Sequence, residues 1–179
     1  MADSRVLTVG HSNLEAEQFI ALLRDQGVEV LIDVRRFPGS RHVPWTKSET
    51  LAALLKDAGI RYLHLESLGG RRKPADDTAN DGWRVRQFQG YADHMNGDEF
   101  GAGLARLEEV ATSRRVAIMC AEAQWWRCHR RLIADRLVIG GWCVLHLDSR
   151  GTRSEHALTE FAQVEDGLLT YPDEENSSR

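Results

Sequence analysis

The chain has 179 residues, of which 42% are hydrophobic and 28% charged, with a formal net charge of −4 and a pI near 6.0. This length predicts one sizeable core, and the composition excludes the disordered and fibrous classes. The near-neutral balance argues against a surface that binds polyanions in general.

The amino-terminal residues MADSRVLTVGHS have no basic stretch followed by an apolar one, so a signal peptide is not expected. No apolar run approaches the roughly 20 residues that a spanning helix needs. Three cysteines, an odd number, do not form a disulfide framework. We therefore expect a cytoplasmic protein with reduced thiols and no membrane partner.

Strand and helix signals alternate from the beginning of the chain. Residues 5–9 (RVLTV) predict a strand, and residues 12–15 have the form of a capping box that opens an amphipathic helix. Residues 28–33 (VEVLID) predict a buried strand. A second capping box at residues 46–49 precedes a core-facing helix, whose apolar stripe covers residues 51–58.

The middle of the chain holds the one long segment without a clear period. Residues 60–65 (IRYLHL) predict a third strand, but residues 68–97 mix Gly, Pro, Asp and Arg with scattered aromatics. A loop-rich insertion of this length is more often a binding loop or lid than filler. Helical spacing returns at residues 100–110, and residues 114–120 (RRVAIMC) predict a fourth strand.

The carboxyl-terminal third predicts a helix over residues 127–139, a strand over 142–148 and a weaker helix around 154–164. Together these elements predict a single domain over residues 1–165 and a polar tail over 166–179. The fold class is α/β, with a Rossmann-like three-layer arrangement and a mostly parallel sheet of about five strands. Ligands of such sheets bind outside the carboxyl ends of the strands.

Polar and ionisable residues follow all five predicted strands. They are His11 and Ser12; Asp33 and Arg35; Glu66, Gly69 and Gly70; Cys120 and Glu122; His146 and Asp148. Basic stretches at residues 35–41, 71–73 and 127–131 lie in the loops around them. This coincidence predicts a polar site with cationic walls, suited to a phosphate, carboxylate or nucleic-acid partner.

Several motifs together resemble a known family. They are TVGHSN, LIDVRRFPGSR, LGGRR, GYADHM, and MCAE followed by WRCHRRLIADRL. In order and spacing they are similar to domain of unknown function 488, from about Val6 to His146. The resemblance implies a Rossmann-like α/β domain and assigns no activity.

Residues 120–130 admit four interpretations. A rhodanese-like or phosphatase-like enzyme would use Cys120 as a thiolate, but Glu122 and the absence of glycine do not suit an anion-cradling loop. Zinc, an alternative to the expectation of no cofactor or metal, would use Cys120, Cys128 and His129, whose spacing is unusual for zinc. Cys120 could also be a core residue. The fourth interpretation, an anion site at a helix amino terminus, is favoured by the order Cys128-His129-Arg130.

Aromatic residues interleave with arginines, as they do where single-stranded nucleic acid stacks. The residues concerned are Trp45, Trp83, Arg84, Arg86, Phe88, Trp125 and Trp126. We expect at least one of the two adjacent tryptophans, 125 and 126, at the rim of the site.

The preferred hypothesis is a protein that binds a small phosphorylated, nucleotide-like or nucleic-acid ligand, with possible acid/base or cysteine chemistry. The candidate catalytic residues are His11, Asp33, Cys120, Glu122 and Cys128. The candidate ligand-binding residues are Ser12, Arg35, Gly69, Gly70, Arg71, Trp126, Arg127, His129 and Arg130. The rival hypothesis is a non-catalytic interaction or scaffold module, and the oligomeric state stays open.

Overall fold

The computed structural model describes residues 4–173 and contains a central sheet covered by helices. The strands are β1 (Arg5–Gly10), β2 (Val30–Asp33), β3 (Arg61–His64), β4 (Val116–Cys120), β5 (Cys143–Leu147), β6 (Arg153–Glu155), β7 (Gln163–Glu165) and β8 (Leu168–Thr170). The helices are α1 (Ala16–Asp25), α2 (Ser48–Asp57), α3 (Arg86–Met95), α4 (Asp98–Ser113) and α5 (Arg130–Ile139).

The main sheet has six strands in the order β3-β2-β4-β1-β5-β6. The first five run parallel to one another, and the edge strand β6 is antiparallel to β5. Strands β7 and β8 form a separate antiparallel hairpin. The predicted mostly parallel sheet is confirmed.

The helices cover both faces of this sheet, because its central strands are apolar on both sides. Helices α1 and α2 pack on one face, where Phe19 and Leu55 join the core. Helices α3, α4 and α5 pack on the other, where Leu107 and Leu132 are buried. The predicted three-layer α/β arrangement is therefore confirmed. No helix within residues 4–173 is long and apolar enough to cross a membrane.

Strand β4 lies where the direction of the connections changes. It pairs with β1 and β2, whose following helices cover one face, whereas α5, which follows β4, covers the other. Adjacent strands that send their chains to opposite faces leave a crevice at their carboxyl ends. That crevice opens at Cys120, the last residue of β4.

Three helices begin later than the sequence predicts. The amides of His11 and Ser12 still pair with the carbonyls of Cys120 and Ala121, and the amide of Leu14 bonds to the carbonyl of His11 across a turn in which Ser12 has a φ of 46°. The N-cap of α1 is therefore Glu15. The predicted box at Ser12 is therefore wrong, and the observed capping box joins Glu15 to Gln18.

The same delay affects α2 and α5. Thr46 closes a short 3₁₀ turn by donating its hydroxyl to the carbonyl of Val43, and α2 starts at Ser48. Residues Trp125–Arg127 form another 3₁₀ turn, so α5 starts at Arg130 instead of Arg127.

The insertion predicted to be loop-rich contains α3, and the Asp93 carboxylate anchors it. The Asp93 carboxylate accepts hydrogen bonds from the amide of Ala75, the hydroxyl of Thr78 and the side-chain amide of Asn80. Tyr91 is fully buried against the core. The insertion is thus a folded wall of the domain, held by one carboxylate and one aromatic ring.

The predicted last helix, around residues 154–164, is wrong. Ser154 lies in β6, where it pairs with His146 of β5, and residues 163–165 form β7. The sheet edge offers hydrogen bonds to this segment that a helix would leave unmade.

The predicted polar tail begins later than residue 166. Leu169 in β8 and the adjoining Tyr171 are buried in the core, and the Tyr171 hydroxyl donates to Asp135. Two apolar anchors outweigh the polar composition of the surrounding segment. Residues 174–179 of the predicted tail lie outside the described residues.

Substitution of two adjacent leucines on opposite faces of β8 tests whether packing of this hairpin against the core contributes to stability. Leu169 is 1% exposed and Leu168 is 53% exposed. We expect Leu169→Ala to lower the free energy of unfolding by about 2–5 kcal/mol, because it leaves a cavity. Leu168→Ala should change it by less than about 0.5 kcal/mol. Urea unfolding measures both, and equal effects would contradict this packing.

Candidate functional site

Two pockets open at the carboxyl edge of the sheet, separated by residues 121–127. The first, here called the cysteine pocket, has a volume of about 340 Å³. It is lined by Arg35, Arg36, Phe37, Gly39, Gly70, Arg71, Gln87, Phe88, Tyr91, Cys120, Ala121, Glu122, Arg127, Cys128 and His129. It lies in the crevice between the ends of β2 and β4.

The second, here called the tryptophan pocket, has a volume of about 390 Å³. Its walls come from the ends of β1 and β5 and from the chain after β4, and they include Ser12, Trp125, Trp126 and His146. The polar residues predicted to converge on one edge do so, but they divide between two pockets.

Two thiols face each other at the floor of the cysteine pocket. The Sγ atoms of Cys120 and Cys128 are 2.7 Å apart, and the two residues are 2% and 6% exposed. Burial and the hydrogen bond to Cys128 raise the pKa of Cys120 well above its ordinary value. Burial also opposes ionisation of Cys128, but the hydrogen bond from Cys120 and the Arg130 charge outweigh it and lower its pKa to about 7. Cys128 is therefore the sulfur of the pair that ionises more readily.

Arg130 lies beneath the thiols and is fully buried. Its guanidinium donates to Cys120 Sγ at 3.0 Å, to Thr8 Oγ1 at 3.1 Å and to the carbonyl of Glu122 at 2.5 Å. The sequence predicts that this arginine neutralises a bound anion. Instead, its donors are engaged by the protein, and it holds the thiols and the segment after β4 in place.

His129 stands beside Cys128 with a defined orientation. Its Nε2 hydrogen bonds to the carbonyl of Val34 at 2.7 Å, which leaves Nδ1 as an acceptor 3.5 Å from Cys128 Sγ. Burial lowers the pKa of His129, so the ring is neutral near pH 7. The neutral Nδ1 can accept a proton from the Cys128 thiol.

Gly69 and Gly70 allow close approach of other groups and form no phosphate cradle. A Cβ on Gly69 would lie 2.6 Å from Cα of Arg36, and one on Gly70 would lie 2.9 Å from Nδ1 of His129. Gly69 lets the loop after β3 approach the residues that follow β2, and Gly70 lets it approach His129. Of the two predicted ligand-binding glycines, Gly70 lines the cysteine pocket.

The segment after Cys120 does not have the form of a phosphatase loop. The amide of Glu122 points at Cys120 Sγ, and those of Arg127 and Cys128 donate to carbonyls within the same segment. These backbone donors are occupied internally, so they do not converge on an anion. The phosphatase-like interpretation is therefore not supported by this geometry.

Asp33 and Arg35 form a buried bidentate ion pair. Nε and Nη2 of Arg35 donate to the two carboxylate oxygens of Asp33 at 2.9 and 2.7 Å, and the Tyr62 hydroxyl donates to Oδ2. Arg35 Nη2 also reaches the carbonyl of Thr46. The salt bridge weighed as the structural alternative is present and engages both side chains. The catalytic role predicted for Asp33 and the ligand-binding role predicted for Arg35 stay predictions.

His11 belongs to the same buried network. Its Nδ1 contacts the carbonyl of Ser12 at 2.9 Å, and its Nε2 faces Nη1 of Arg35 at 3.4 Å. Burial lowers its pKa, so the ring is a neutral acceptor for Arg35. His11 supports the end of β1 and is not among the residues that line either pocket.

Three other arginines carry the positive charge of the cysteine pocket. Arg36 lies above the ring of Phe37 and donates to the carbonyl of Arg71. Arg71 holds a left-handed φ of 59° at the rim, and Arg127 is exposed. Within residues 4–173, none of the three has a carboxylate partner. Arg71 and Arg127, two of the predicted ligand-binding residues, thus line the pocket. Arg36 lines it as well, although Arg35 was the residue predicted to bind the ligand.

Glu122 brings the one carboxylate of the pocket lining. Its side chain is exposed, and Oε1 accepts a weak hydrogen bond from the amide of Gln124 at 3.4 Å. Its backbone carbonyl is directed inward to Arg130. The side chain remains available to a ligand that has a donor.

Seven lining residues are absent from the predicted site residues: Arg36, Phe37, Gly39, Ala121, Gln87, Phe88 and Tyr91. The last three come from the insertion, whose helix α3 lacks a clear apolar period. An aromatic stripe at Phe88 and Tyr91, three residues apart, is the signal that indicates it.

Of the aromatic residues predicted to stack on nucleic acid, Trp83 is a core residue, and Trp45 and Phe88 are partly buried against the core. Trp83 is 5% exposed and packs against Phe88, Phe161 and Tyr171. Trp45 donates to the carbonyl of Leu14. Trp126, at 48% exposed, lines the tryptophan pocket and does not reach the thiols.

A chain of hydrogen bonds links Arg130 to the opposite side of the core. Thr8 Oγ1 accepts from Arg130 and lies 2.7 Å from Nδ1 of His146. Nε2 of His146 lies 2.9 Å from Nδ1 of His156, and Nε2 of His156 lies 2.7 Å from the Asp135 carboxylate. We call these five residues the buried relay.

Trp125 covers the relay on its solvent side. Its ring stacks on His146 with centroids 4.0 Å apart and an interplanar angle of 5°. The prediction that one of the two adjacent tryptophans lies at a pocket rim is met by Trp126, while Trp125 shields the relay. Within the described residues, no group of three or more His, Cys, Asp or Glu side chains is placed to hold a metal ion.

Residues 15–137 match the family described as domain of unknown function DUF488, and this span covers more than half of the chain. The chain belongs to this family. The match includes the cysteine pocket, the ion pair of Asp33 and Arg35, and the helix that carries Arg130. Neither curated proteins nor solved structures gave a significant match.

Gly10 tests the close approach that shapes the site. A Cβ at Gly10 would overlap the carbonyl oxygen of Glu122, which is the acceptor of Arg130. We expect Gly10→Ala to lower the free energy of unfolding by about 1–3 kcal/mol, through overpacking. Gly101→Ala, where a Cβ on α4 would meet nothing within 4 Å, should raise it by up to about 1 kcal/mol. Thermal unfolding of both variants measures this contrast, and a neutral Gly10→Ala would refute the close approach.

The relay predicts a dependence of stability on pH. Burial, followed by the charges of His156 and Arg130, lowers the pKa of His146 from 6.5 to about 3. Between these values the unfolded chain binds a proton that the folded chain does not, so stability is present above pH 6.5 and is lost as the pH falls. The loss due to this residue approaches about 1.4 kcal/mol per pH unit.

His146→Gln should lower stability at pH 7 yet flatten its decline from pH 7 to 5, measured by urea unfolding at each pH. His42→Gln, at an exposed position, should keep the wild-type slope. Identical slopes for His146→Gln and the wild type would contradict the prediction.

Proposed function

We propose that the cysteine pocket binds a small phosphorylated, nucleotide-like ligand and holds it against the Cys128 thiolate. The observation that carries this proposal is the set of three arginines, Arg36, Arg71 and Arg127, that line one pocket without carboxylate partners in the described part of the chain. Unpaired guanidinium groups around a pocket favour an anion, and their fork geometry suits phosphate.

The charge balance of the lining supports the proposal. Arg35 also lines the pocket, but Asp33 neutralises it, so three arginines stand against the single carboxylate of Glu122. This balance favours a ligand with more than one negative charge. Glu122 adds a preference for a ligand that has a hydrogen-bond donor as well, such as a ribose hydroxyl or an exocyclic amine.

The aromatic side of the pocket supports the nucleotide-like class. Phe37 is 62% exposed at the rim, and Phe88 and Tyr91 line the wall that comes from the insertion. A planar base can pack on such rings while the phosphate meets the arginines. The volume of about 340 Å³ lies in the range of small-molecule sites.

The state of the thiols supports a reducing compartment. All three cysteines are free, and the pair at Cys120 and Cys128 contains a thiolate that oxidising conditions would consume. We therefore place the protein in the cytoplasm as part of the same proposal.

Charge-removing substitutions test the binding site. We expect the double variant Arg71→Ala/Arg127→Ala to bind adenosine monophosphate at least about 100-fold more weakly than the wild type, because each charge-assisted hydrogen bond contributes about 1.5–3 kcal/mol. Isothermal titration calorimetry at low and high salt measures the affinity. The loss should shrink as salt screens the charges.

Arg106→Ala is the matched control, since Arg106 pairs with Glu109 on α4 and lies away from the pocket. Its affinity should equal that of the wild type. Inorganic phosphate and a short single-stranded oligonucleotide serve as further probes. Binding of the oligonucleotide alone would assign the site to nucleic acid, and binding of no probe by the wild type would overturn the proposal.

A further inference from the structure

A ligand site lined with arginines does not need two thiols in contact, yet the cysteine pocket has them. Cys120 and Cys128 both line the pocket, with Sγ atoms 2.7 Å apart. The third cysteine, Cys143, begins β5 and is therefore at the opposite edge of the parallel sheet. The pairing of two thiols at a pocket floor is the arrangement that dithiol chemistry requires.

We propose that Cys128 and Cys120 are a redox-active dithiol that reduces a hydroperoxide entering the cysteine pocket. This activity is independent of the phosphorylated ligand, because it uses the floor of the pocket and needs none of its exposed arginines.

The surroundings assign different roles to the two sulfurs. Both sulfurs accept hydrogen bonds: Cys120 from Nε of Arg130 at 3.0 Å and from the amide of Glu122 at 3.3 Å, and Cys128 from the amide of Arg130 at 3.5 Å. They differ in that the acceptor Nδ1 of His129 lies 3.5 Å from Cys128 Sγ, so Cys128 is the sulfur with a base beside it. Burial and the contact with Cys128 keep Cys120 protonated by raising its pKa. Cys128 is therefore the attacking thiolate, and Cys120 is the thiol that resolves the product.

In the first step, the Cys128 thiolate attacks the terminal oxygen of the hydroperoxide. A sulfur–oxygen bond forms, the oxygen–oxygen bond breaks, and Cys128 loses two electrons to become a sulfenic acid. The departing alkoxide, or hydroxide in the case of hydrogen peroxide, takes a proton from solvent in the pocket and leaves as alcohol or water.

In the second step, the Cys120 sulfur attacks the Cys128 sulfur. A disulfide bond forms, the sulfur–oxygen bond breaks, and hydroxide leaves with the Cys120 proton as water. One hydroperoxide and two thiols thus give one alcohol, one water and one disulfide. A small external dithiol returns the pair to the reduced state by two exchange steps.

The geometry favours this second step over release of the sulfenic acid. The two sulfurs need to approach by only about 0.7 Å from their 2.7 Å separation to reach bonding distance. Arg130 holds the segment between them, since it donates to Cys120 Sγ and to the carbonyl of Glu122. The resolving thiol is thus already in place when the first step ends.

The burial of the pair selects a small oxidant. With exposures of 2% and 6%, the sulfurs can be reached through the pocket but do not project from the surface. A protein disulfide could not align with either sulfur. A hydroperoxide fits, because its reacting end is two oxygen atoms.

Intact-mass measurement of the full chain after a brief exposure to dilute hydrogen peroxide tests the proposal. The wild type should lose two hydrogen atoms and regain them with dithiothreitol, and peptide mapping should show Cys120 joined to Cys128. Formation should be at least about tenfold faster than oxidation of Cys143 in the same molecules, because thiolates react and thiols do not.

Substitutions separate the two roles. In Cys120→Ser, we expect sulfenic acid to accumulate on Cys128 and to be captured by a cyclic diketone reagent. In Cys128→Ser, oxidation of Cys120 should slow by at least about tenfold. Cys143→Ser is the control and should form the disulfide at the wild-type rate. These reactions are run without any anionic ligand, so their outcome does not depend on the binding proposal.

One measurement uses only the wild type, so its result does not depend on whether the variants fold. The rate of alkylation of Cys128 by iodoacetamide should rise with a midpoint near pH 7, the pKa of its thiol. A midpoint above pH 8.5 would overturn the thiolate step. The dithiol assignment would also be overturned if hydrogen peroxide produced no disulfide, or if only oxidised glutathione did.

Discussion

The rest of the site depends on the burial of one positive charge. The Arg130 guanidinium is removed from water completely, which costs several kcal/mol unless every donor finds a partner. Its partners are a cysteine sulfur, a threonine hydroxyl and a backbone carbonyl, and none of them carries a carboxylate charge. The one negative charge that can form next to it is the thiolate. Burial lowers the pKa of Arg130, but the charges of Cys120 and then Cys128 outweigh it and raise that pKa, so ionisation of the thiol pair and burial of Arg130 support each other.

The same arginine connects the site to the last elements of the chain. Through Thr8 and the two histidines, its hydrogen bonds lead to Asp135, which also accepts from the amide of Thr159 and the hydroxyl of Tyr171. The Asp135 carboxylate is thus the last member of a series of hydrogen-bonded groups that begins at the Arg130 guanidinium. Because these residues contact one another in series, a substitution that displaces the carboxyl-terminal hairpin would also shift the two thiols. This dependence explains physically why a short hairpin of mostly polar residues is held so firmly to the domain.

The layers of the fold could be predicted from the sequence. The role of each residue within the site could not. Buried strands such as residues 30–33 and amphipathic helices such as α4 have a hydrophobic pattern that indicates the element type locally. Their type could therefore be predicted without knowledge of tertiary contacts. The pairing of Ser154 with His146 depends on a sheet edge formed elsewhere, and no local pattern records it.

The same limit separates the arginines. Arg35 and Arg36 are neighbours in sequence with the same charge, yet one is buried against Asp33 and the other faces the pocket. Alternation along an extended chain predicts that they point apart but not which one faces inward. Likewise, the adjacency of Cys128 to a helix start was visible, whereas its contact with Cys120 needed the three-dimensional turn of residues 121–127.

Residues 121–127 are also a partition shared by two cavities. Ala121, Glu122 and Arg127 line the cysteine pocket on one side, while Trp125 and Trp126 line the tryptophan pocket on the other. A molecule that displaces this segment from one side must reshape the other side as well. Occupancy of the two cavities would then be thermodynamically linked, and each occupant would alter the affinity for the other by the same factor. A single thin segment of chain thus gives a small domain the means to couple two binding events.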